Sequence, residues 1–176
     1  MIRQLFILIG KSGSGKTTLA QKIVNENPDI EYFSLGDEFR KIAQKNKEIA
    51  NYVFAGERVP EAIAFDVMSE VINNFSKKYI LLDGFPRDIN QAKILKSLID
   101  KNNLTIKNVF EIDVTDDVAQ NRVLQRGRDY SDNLIVFNSR LEDYKYQIKL
   151  IREYYADIFI SSPNITSLEI HSIITL

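Results

Sequence analysis

A glycine-rich turn directly after a short apolar run constrains this chain more than any other feature. The run Leu5–Ile9 leads into Gly10-Lys11-Ser12-Gly13-Ser14-Gly15-Lys16-Thr17, which matches G-x-x-x-x-G-K-[ST] in full. So short and uniformly apolar a run predicts a strand buried on both faces, and a helix is expected to begin near Lys16. Such a strand–turn–helix aims several backbone N–H groups into one concavity. This context predicts a phosphate-binding loop.

The loop predicts a site for a nucleoside triphosphate. Lys16 can reach the β- and γ-phosphates, and the hydroxyl group of Thr17 or Thr18 can contact phosphate or Mg²⁺, which prefers hard oxygen ligands. The alternative is a strand-to-helix turn that binds nothing, which the complete match and its context disfavour. The motif alone does not say which reaction follows binding.

Short apolar runs and longer helical periods alternate along the rest of the chain. Tyr79–Leu82 and Val109–Ile112 are typical of strands buried in a parallel sheet. Pro60 suits a first helical position, and apolar residues follow it at helix spacing. A regular stripe from Leu134 to Ile158 predicts one helix of about seven turns. The alternation predicts a single-domain, doubly wound α/β fold over residues 1–176.

The amino-acid composition excludes several kinds of catalysis, metal site and binding partner. The chain has no cysteine and one histidine, His171, which excludes disulfides, thiol catalysis and metal sites built from cysteine or histidine. A net charge of −1 provides no field that would hold the chain on nucleic acid or an anionic membrane. No apolar run approaches the roughly 20 residues that span a bilayer. We expect a cytoplasmic monomer without nucleic-acid or membrane partners.

A second motif and a group of arginines add catalytic chemistry. Asp83-Gly84-Phe85-Pro86-Arg87 ends a predicted buried strand, where Asp83 is placed to hold Mg²⁺ through water and Arg87 projects over the cleft. Arginine presents a permanently charged planar fork that suits phosphate oxygens, and a phosphoryl-transfer catalyst must stabilise charge on such oxygens. Four further arginines lie close to one another along the chain, at Arg122, Arg126, Arg128 and Arg140.

These residues resemble the adenylate kinase family of nucleoside monophosphate kinases, in order and over nearly the whole chain. Gly36–Arg40 resembles the family's G-D-x-x-R, whose arginine grips the monophosphate. Gly56–Pro60 resembles G-x-x-V-P, which lines the acceptor nucleoside. Asp83–Arg87 reproduces D-G-F-P-R, and Gln91 matches the glutamine that reads the adenine of AMP.

The arginine group also resembles the family's lid. Arg122, Arg126, Arg128 and Arg140 correspond to its four arginines, and Asp132-Asn133 followed by Arg140 has the spacing of the family's lid aspartates and final arginine. The fold implied is a three-layer α/β/α P-loop NTPase fold with a central parallel sheet. A helical monophosphate-binding insertion at about 36–66 and a short, zinc-free lid at about 127–134 complete it.

The resemblance implies a set of site residues. Those implied in catalysis are Lys16, Arg87, Arg122, Arg126, Arg128 and Arg140. Those implied in binding ATP are Gly10, Ser12, Gly13, Ser14, Gly15, Lys16, Thr17, Thr18, Arg122 and Arg126. Those implied in binding the monophosphate are Leu35, Gly36, Arg40, Val59, Gly84, Arg87, Gln91, Arg128 and Arg140. The Mg²⁺ ion that accompanies ATP would be held by Asp83 and Thr17, through water.

The chain departs from the family pattern at three places. Ser12 and Thr17-Thr18 replace the usual loop proline and the Gly-Thr after the lysine. Leu35 replaces the threonine that commonly contacts the acceptor base. A strand is predicted at Thr166–Ile170, so the family's closing helix is expected to be missing or vestigial.

Transfer of the ATP γ-phosphoryl group to AMP, giving two ADP, fits the residues present. The acceptor phosphate oxygen is already anionic, so the reaction needs positioning and charge cancellation rather than a general base. Three alternatives remain open. One is an acceptor preference of the UMP/CMP type, and one is a kinase of a small hydroxylated metabolite, in which Asp37 would accept the hydroxyl proton. The third is a module that binds ATP without turnover.

Overall fold

The computed structural model describes residues 2–162 and 165–175. A five-stranded, fully parallel sheet in the order β2-β3-β1-β4-β5 forms its centre. The strands are β1 (Arg3–Ile9), β2 (Ile30–Ser34), β3 (Tyr79–Asp83), β4 (Leu104–Ile112) and β5 (Phe159–Ser162). The predicted α/β class and the parallel sheet are confirmed.

Helices connect the strands and cover both faces of the sheet. In the described residues they are α1 (Lys16–Glu26), α2 (Leu35–Ala43), α3 (Lys47–Ala55), α4 (Glu61–Asn74), α5 (Ile89–Lys101), α6 (Asp116–Arg126), α7 (Leu134–Tyr154) and α8 (Ser167–Thr175). No helix among these residues is long and apolar enough to cross a membrane. A short 3₁₀ turn, Ala156–Ile158, precedes β5.

The alternating side chains of β1 explain the three layers. Leu5 and Ile7 point into a core that they share with α4, α5 and α7. Phe6 and Leu8 point to the other face, where they join a core formed with α1 and α8. All four side chains are at most 1% exposed, as expected for a central strand covered on both faces. The glycine loop is therefore anchored to the most deeply buried strand.

The carboxyl end of the chain differs from the prediction. The segment predicted as a strand at Thr166–Ile170 instead begins helix α8, and the fifth strand is Phe159–Ser162. Thr166 and Glu169 form a capping box, in which Glu169 accepts from the Thr166 N–H at 2.7 Å and donates its own N–H to the Thr166 hydroxyl at 3.2 Å. The prediction of a missing or vestigial closing helix was therefore wrong.

The long helix α7 is also shorter than its apolar stripe predicted. It ends at Tyr154, and the chain tightens into the 3₁₀ turn, where the Ile158 N–H donates to the Tyr155 carbonyl at 2.9 Å. Ile158 continues the apolar spacing but belongs to this turn, because the chain must reverse there to enter β5.

The strand order brings three connections to one edge of the sheet. Because β1 lies between β3 and β4, the glycine loop at 10–15 adjoins the turns that follow Asp83 and Ile112. Residues 36–66 form α2, α3 and the start of α4 between β2 and β3, and residues 127–133 connect α6 to α7. Ligands of doubly wound sheets bind at this carboxyl edge.

Candidate active site

The glycine loop approaches two helices closely. Gly15 stands at the N-terminus of α1 with φ 100°, and no side chain of the described residues caps this end, so the first-turn N–H groups face the concavity. Gly13 has φ 81°, and a Cβ atom there would lie 2.2 Å from the carbonyl oxygen of Ala119 in α6. Only glycine allows this approach of the loop to α6.

The Lys16 ammonium group lies inside the loop. It donates hydrogen bonds to the carbonyl oxygens of Gly10 at 2.6 Å and Lys11 at 3.0 Å. Burial lowers the pKa of Lys16 to about 8, with Arg87 and Arg126 acting in the same direction and Asp83 acting against them. An anion bound here would offset both the cost of desolvating the ammonium group and the repulsion from the nearby arginines.

Asp83, at the end of β3, is 3% exposed and is held by two hydroxyl groups. Its Oδ2 accepts from the Thr17 hydroxyl at 3.1 Å and from the Tyr32 hydroxyl at 3.0 Å. Burial, followed by the Asp83 charge, raises the pKa of Tyr32 above its usual range, so Tyr32 remains a proton donor.

The oxygen atoms of Thr17 and Asp83 have the chemistry that Mg²⁺ prefers. The described residues contain no group of three or more histidine, cysteine, aspartate or glutamate side chains that could hold a metal ion. A magnesium ion at this place would therefore complete its coordination with phosphate oxygens and water, as is usual for Mg²⁺ at nucleotide sites. The residues fit an ion that arrives with the nucleotide.

Two arginines of α6 extend over the glycine loop. Arg122 donates to the carbonyl oxygen of Ser14 at 3.2 Å. Arg126 forms a two-pronged pair with the carboxylate of Asp132, at 2.7 and 2.6 Å, and lies 3.5 Å from the Ser12 hydroxyl. Their i, i+4 spacing on α6 places both guanidinium groups on the side that faces the loop.

Two further arginines approach the cleft without carboxylate partners among the described residues. Arg87 donates to the carbonyl oxygen of Gly84 at 3.0 Å, and Arg140 donates to that of Gly56 at 3.2 Å. Burial, then the charges of Arg87 and Arg40, lowers the pKa of Arg140 to about 10. Burial also lowers the pKa of Arg87, although Asp83 opposes it. These cations lack a counter-anion that a phosphate can supply.

The segments 36–66 and 127–133 contact each other across the cleft. Arg40 of α2 donates to the Asp129 carboxylate at 2.8 Å, and Arg128 lies 3.5 Å from Asp37. Burial alone would raise the pKa of Asp129, but hydrogen bonds from Ser131 and Arg40 outweigh it and lower that pKa to about 2. Aspartates of one segment thus pair with arginines of the other.

A second, smaller pocket has an apolar wall on one side and arginines on the other. Its glutamine, Gln91, is 4% exposed, and its side-chain oxygen accepts from the Arg87 N–H at 2.8 Å. The Gln91 N–H in turn donates to Asp88, the N-cap of α5, at 2.8 Å. This fixes the side chain at the pocket wall. The apolar lining comes from Leu35, Phe39, Val53 and Val59.

One cavity of about 730 Å³ gathers most of the residues that the sequence singled out. It is lined by Gly10, Ser12, Gly13, Gly15, Lys16, Thr17, Thr18, Gly36, Arg40, Asp83, Gly84, Arg87, Arg122, Arg126, Arg128 and Arg140. Leu35, Val59 and Gln91 line the adjoining apolar pocket instead. Ser14 lines neither cavity and is 3% exposed beneath the loop. The volume is in the range of nucleotide-sized ligands.

The structure also adds residues that the sequence did not single out. Arg58 bridges Asp88 of α5 and Asp143 of α7, and so connects segment 36–66 to two core helices. Tyr32 holds Asp83, and the Asp129 carboxylate holds Arg40. The sequence carries no signal for these contacts, because each joins residues far apart along the chain.

A parallel sheet, a glycine loop at its central strand and arginines on the facing elements define a P-loop nucleotide-binding enzyme. The adenylate kinase family model matches residues 8–159, and this chain belongs to the adenylate kinase family. The family resemblance seen in the motifs is thereby confirmed.

Curated adenylate kinases are similar over most of the chain. The adenylate kinase of Helicobacter hepaticus is 37% identical over 161 residues, which cover 88% of this chain and 85% of that protein. That of Nitratiruptor sp. is 36% identical over 160 residues, with coverages of 88% and 82%. That of Nautilia profundicola is 35% identical over 161 residues, with coverages of 88% and 84%.

Proposed function

We propose that this chain transfers the γ-phosphoryl group of ATP to AMP and so forms two ADP. The observation that carries the proposal is the convergence of Lys16, Arg87 and Arg140 on one cavity, where no carboxylate of the described residues forms an ion pair with any of them. Cations that lie close together without carboxylate partners are stabilised when an anionic ligand binds between them. Two phosphate chains that meet in the cavity supply those anions.

The glycine-loop side of the cavity suits the donor. Backbone N–H groups at the start of α1 and the Lys16 ammonium group would hold the β- and γ-phosphates of ATP. Arg122 and Arg126 would lie along the same phosphates from α6. Asp83 and Thr17 would hold Mg²⁺ through water, and the ion would neutralise part of the charge on the transferring group.

The opposite side suits the acceptor. Arg40, Arg87, Arg128 and Arg140 would hold the phosphate of AMP, and Gln91 would hydrogen-bond the base in the apolar pocket of Leu35 and Val59. The acceptor oxygen is anionic, so these groups need only bring it in line with the γ-phosphorus and cancel the charge. Asp37 faces Arg128 and Arg40, at 3.5 and 3.6 Å, which suits a residue that positions arginines better than a general base.

Segments 36–66 and 127–134 would act as the monophosphate-binding insertion and the lid of a single kinase domain. Their contact across the cleft would exclude water, which would otherwise hydrolyse ATP. Both nucleotide sites lie on one chain, which is consistent with a monomer. We place this activity in the cytoplasm, where a cysteine-free enzyme and its nucleotides can meet.

The test is a coupled assay for ADP with Mg²⁺–ATP and a panel of acceptors: AMP, UMP, CMP, GMP, and a sugar or hydroxy acid. Turnover is expected with monophosphates, fastest with AMP. Fastest turnover with UMP or CMP would replace the proposed acceptor. Turnover only with a hydroxylated metabolite, or ATP binding without ADP formation under any condition, would refute the proposed function.

A further inference from the structure

A second lysine of the glycine loop, Lys11, is buried among acidic and carbonyl oxygens. It is 8% exposed, and its ammonium group lies 2.7 Å from the Val114 carbonyl oxygen and 2.7 Å from the Asp116 carboxylate. The Asp113 carboxylate is 3.3 Å away. Two of these acceptors lie in the turn between β4 and α6 and the third, Asp116, is the first residue of α6, so the Lys11 side chain attaches the loop to this turn and to the start of the helix.

The backbone of Lys11 faces the other way, into the loop. Its carbonyl oxygen accepts from the Lys16 ammonium group at 3.0 Å and from the Ser14 N–H at 3.1 Å. One residue thus connects the anchor on α6 to the lysine that we place on the ATP phosphates. A shift of the Lys11 side chain would therefore be passed to Lys16 through a single residue.

Asp116 connects this anchor to a further element. Its other carboxylate oxygen lies 3.0 Å from the Lys145 ammonium group of α7. Hydrogen bonds from Lys11 and then Lys145 lower the pKa of Asp116, so this carboxylate stays charged. Lys11 and Lys145 share one acceptor, but only Lys11 belongs to the glycine loop.

Loss of the Lys11 charge would have two consequences at the ATP side of the cavity. The loop would lose its attachment to the β4–α6 turn, although Gly13 still packs on Ala119 and Arg122 still holds Ser14. Asp113 would also lose its cation, leaving an uncompensated negative charge next to the glycine loop. Both effects weaken ATP binding and leave the acceptor side unchanged.

We propose that Lys11 is a positioning residue for ATP, which holds the glycine loop against α6 and neutralises the acidic turn after β4. This inference rests on the proposed function in its assignment of the loop to ATP. Lys11 itself need not touch the nucleotide. Its contribution is to keep Lys16 and the loop N–H groups in the arrangement that binds phosphate.

The test compares Lys11→Met, which keeps the length of the side chain and removes its charge, with Lys11→Arg and with Lys145→Met. For Lys11→Met, we expect the KM for Mg²⁺–ATP to rise about tenfold, the effect of losing a charged hydrogen bond, and the KM for AMP to change less than about twofold. Lys11→Arg should restore most of the ATP affinity. Lys145→Met, the matched control, removes a lysine from Asp116 without touching the loop and should leave both KM values unchanged.

Two outcomes would overturn the inference. One is unchanged KM values in Lys11→Met, and the other is an equal rise of both KM values, which would show a general structural role. Calorimetric titration with the non-hydrolysable analogue AMPPNP measures loop affinity without turnover. If the wild-type chain forms no ADP but Lys11→Met still weakens AMPPNP binding, then the proposed function fails and the role of Lys11 stands.

Discussion

Lys16 is hydrogen-bonded to the loop's own carbonyl oxygens. The carbonyl groups of Gly10 and Lys11 accept its hydrogen bonds, and Arg87 and Arg126 add positive charge nearby. In our proposal, the triphosphate takes over as the principal partner of this ammonium group. The residue is thus held in place before the ligand arrives, which reduces the ordering that binding requires.

Replacement of Lys16 by alanine should lower kcat by about a hundredfold or more, because a cation that stabilises the transferring phosphoryl group is lost. Steady-state kinetics with ATP and AMP measure the effect, and circular dichroism checks that the fold is intact. Lys22→Ala, an exposed lysine on the same helix, is the matched control and should retain full activity. Near-full activity of Lys16→Ala would refute its assigned role.

The lowered pKa of Lys16 predicts a pH dependence. In the free enzyme, Lys16 loses its proton as the pH rises through about 8, and a neutral amine attracts phosphate less. We expect kcat/KM for ATP to fall above pH 8, approaching about tenfold per pH unit. Bound phosphates favour the charged form, so kcat should stay level to a higher pH. A kcat/KM for ATP that is constant to pH 10 would contradict this assignment.

Sequence reasoning singled out candidate site residues that belong to local motifs. Gly10–Thr17 and Asp83–Arg87 are each contiguous, and each follows a recognisable strand. It missed Lys11 and Tyr32 because their roles come from side-chain contacts with residues far away in the sequence. No spacing rule relates Tyr32 to Asp83, since only the register of β2 beside β3 brings them together.

At the scale of elements, segments 36–66 and 127–133 stabilise each other. The Arg40–Asp129 and Arg128–Asp37 pairs cross the cleft, and the rings of Phe54 and Tyr130 meet edge to face with centroids 6.4 Å apart. Because the pKa of Asp129 is lowered to about 2, its stabilising contribution is complete above pH 4 and is lost as the pH falls toward 2. The contact therefore persists across the physiological pH range.

Asp129→Asn should open this contact, because Arg40 loses its charged partner. Trypsin cleaves after arginine, so the rate of cleavage at Arg126 and Arg128 reports how often segment 127–133 separates from segment 36–66. We expect cleavage to be about fivefold faster, which corresponds to about 1 kcal/mol lost from the closed form. Glu38→Gln removes an acid that pairs only within α2 and should leave the rate unchanged. An unchanged cleavage rate in Asp129→Asn would show that the Arg40–Asp129 pair does not keep segments 36–66 and 127–133 together.

The elements of the chain were predicted unequally. Strands β1, β3 and β4 were found because their apolar runs are short and uniform, and β1 and β3 end within a residue of the prediction, whereas β2 and β5 were not predicted. Helix α8 was missed because the β-branched Thr166 and Ile170 suggested a strand, while the capping pattern of Thr166 and Glu169 was overlooked. Contact with α1 settles this segment as a helix.

At the scale of the whole molecule, one buried carboxylate connects β4, β5 and α7 at one edge of the sheet. Glu111 of β4 is 1% exposed and accepts from Arg152 and Tyr144 of α7, and from Ser161 of β5 at 2.6 Å. Burial, then Glu111, raises the pKa of Tyr144 above its usual range, so the tyrosine hydroxyl keeps its proton. This network positions α7, which carries Arg140 to the cleft.

Glu111→Gln should lower the free energy of unfolding by about 2–3 kcal/mol. Loss of one partner from a fully buried pair costs about 3–5 kcal/mol, but Arg152 is nearly half exposed and water screens it. Urea denaturation measures the change. Glu142→Gln is the exposed control, because Glu142 lies on α7, the helix that carries Arg152. It should change the free energy of unfolding by less than about 0.5 kcal/mol. Equal effects of the two substitutions would show that the network is not a structural centre.

The sequence predicted the fold class of the whole molecule but not the order of the strands in its sheet. Alternating strands and helices indicate a parallel sheet, but the order β2-β3-β1-β4-β5 depends on which strands pair, and periodicity carries no such information. The family resemblance supplied the arrangement of the two inserted segments. The pairing of their aspartates and arginines emerged only from the three-dimensional contacts.

The crossed ion pairs provide Arg40 and Arg128 with anionic partners from the protein itself. A phosphate group at Arg40 and Arg128 would share these guanidinium groups with the Asp129 and Asp37 carboxylates, because each guanidinium group has five N–H donors, and the contact between the two segments would persist. A small anion that makes no other contact in the cavity would gain little from arginines that carboxylates already partner. We therefore expect the resting enzyme to resist occupation by the small anions that surround it in a cell.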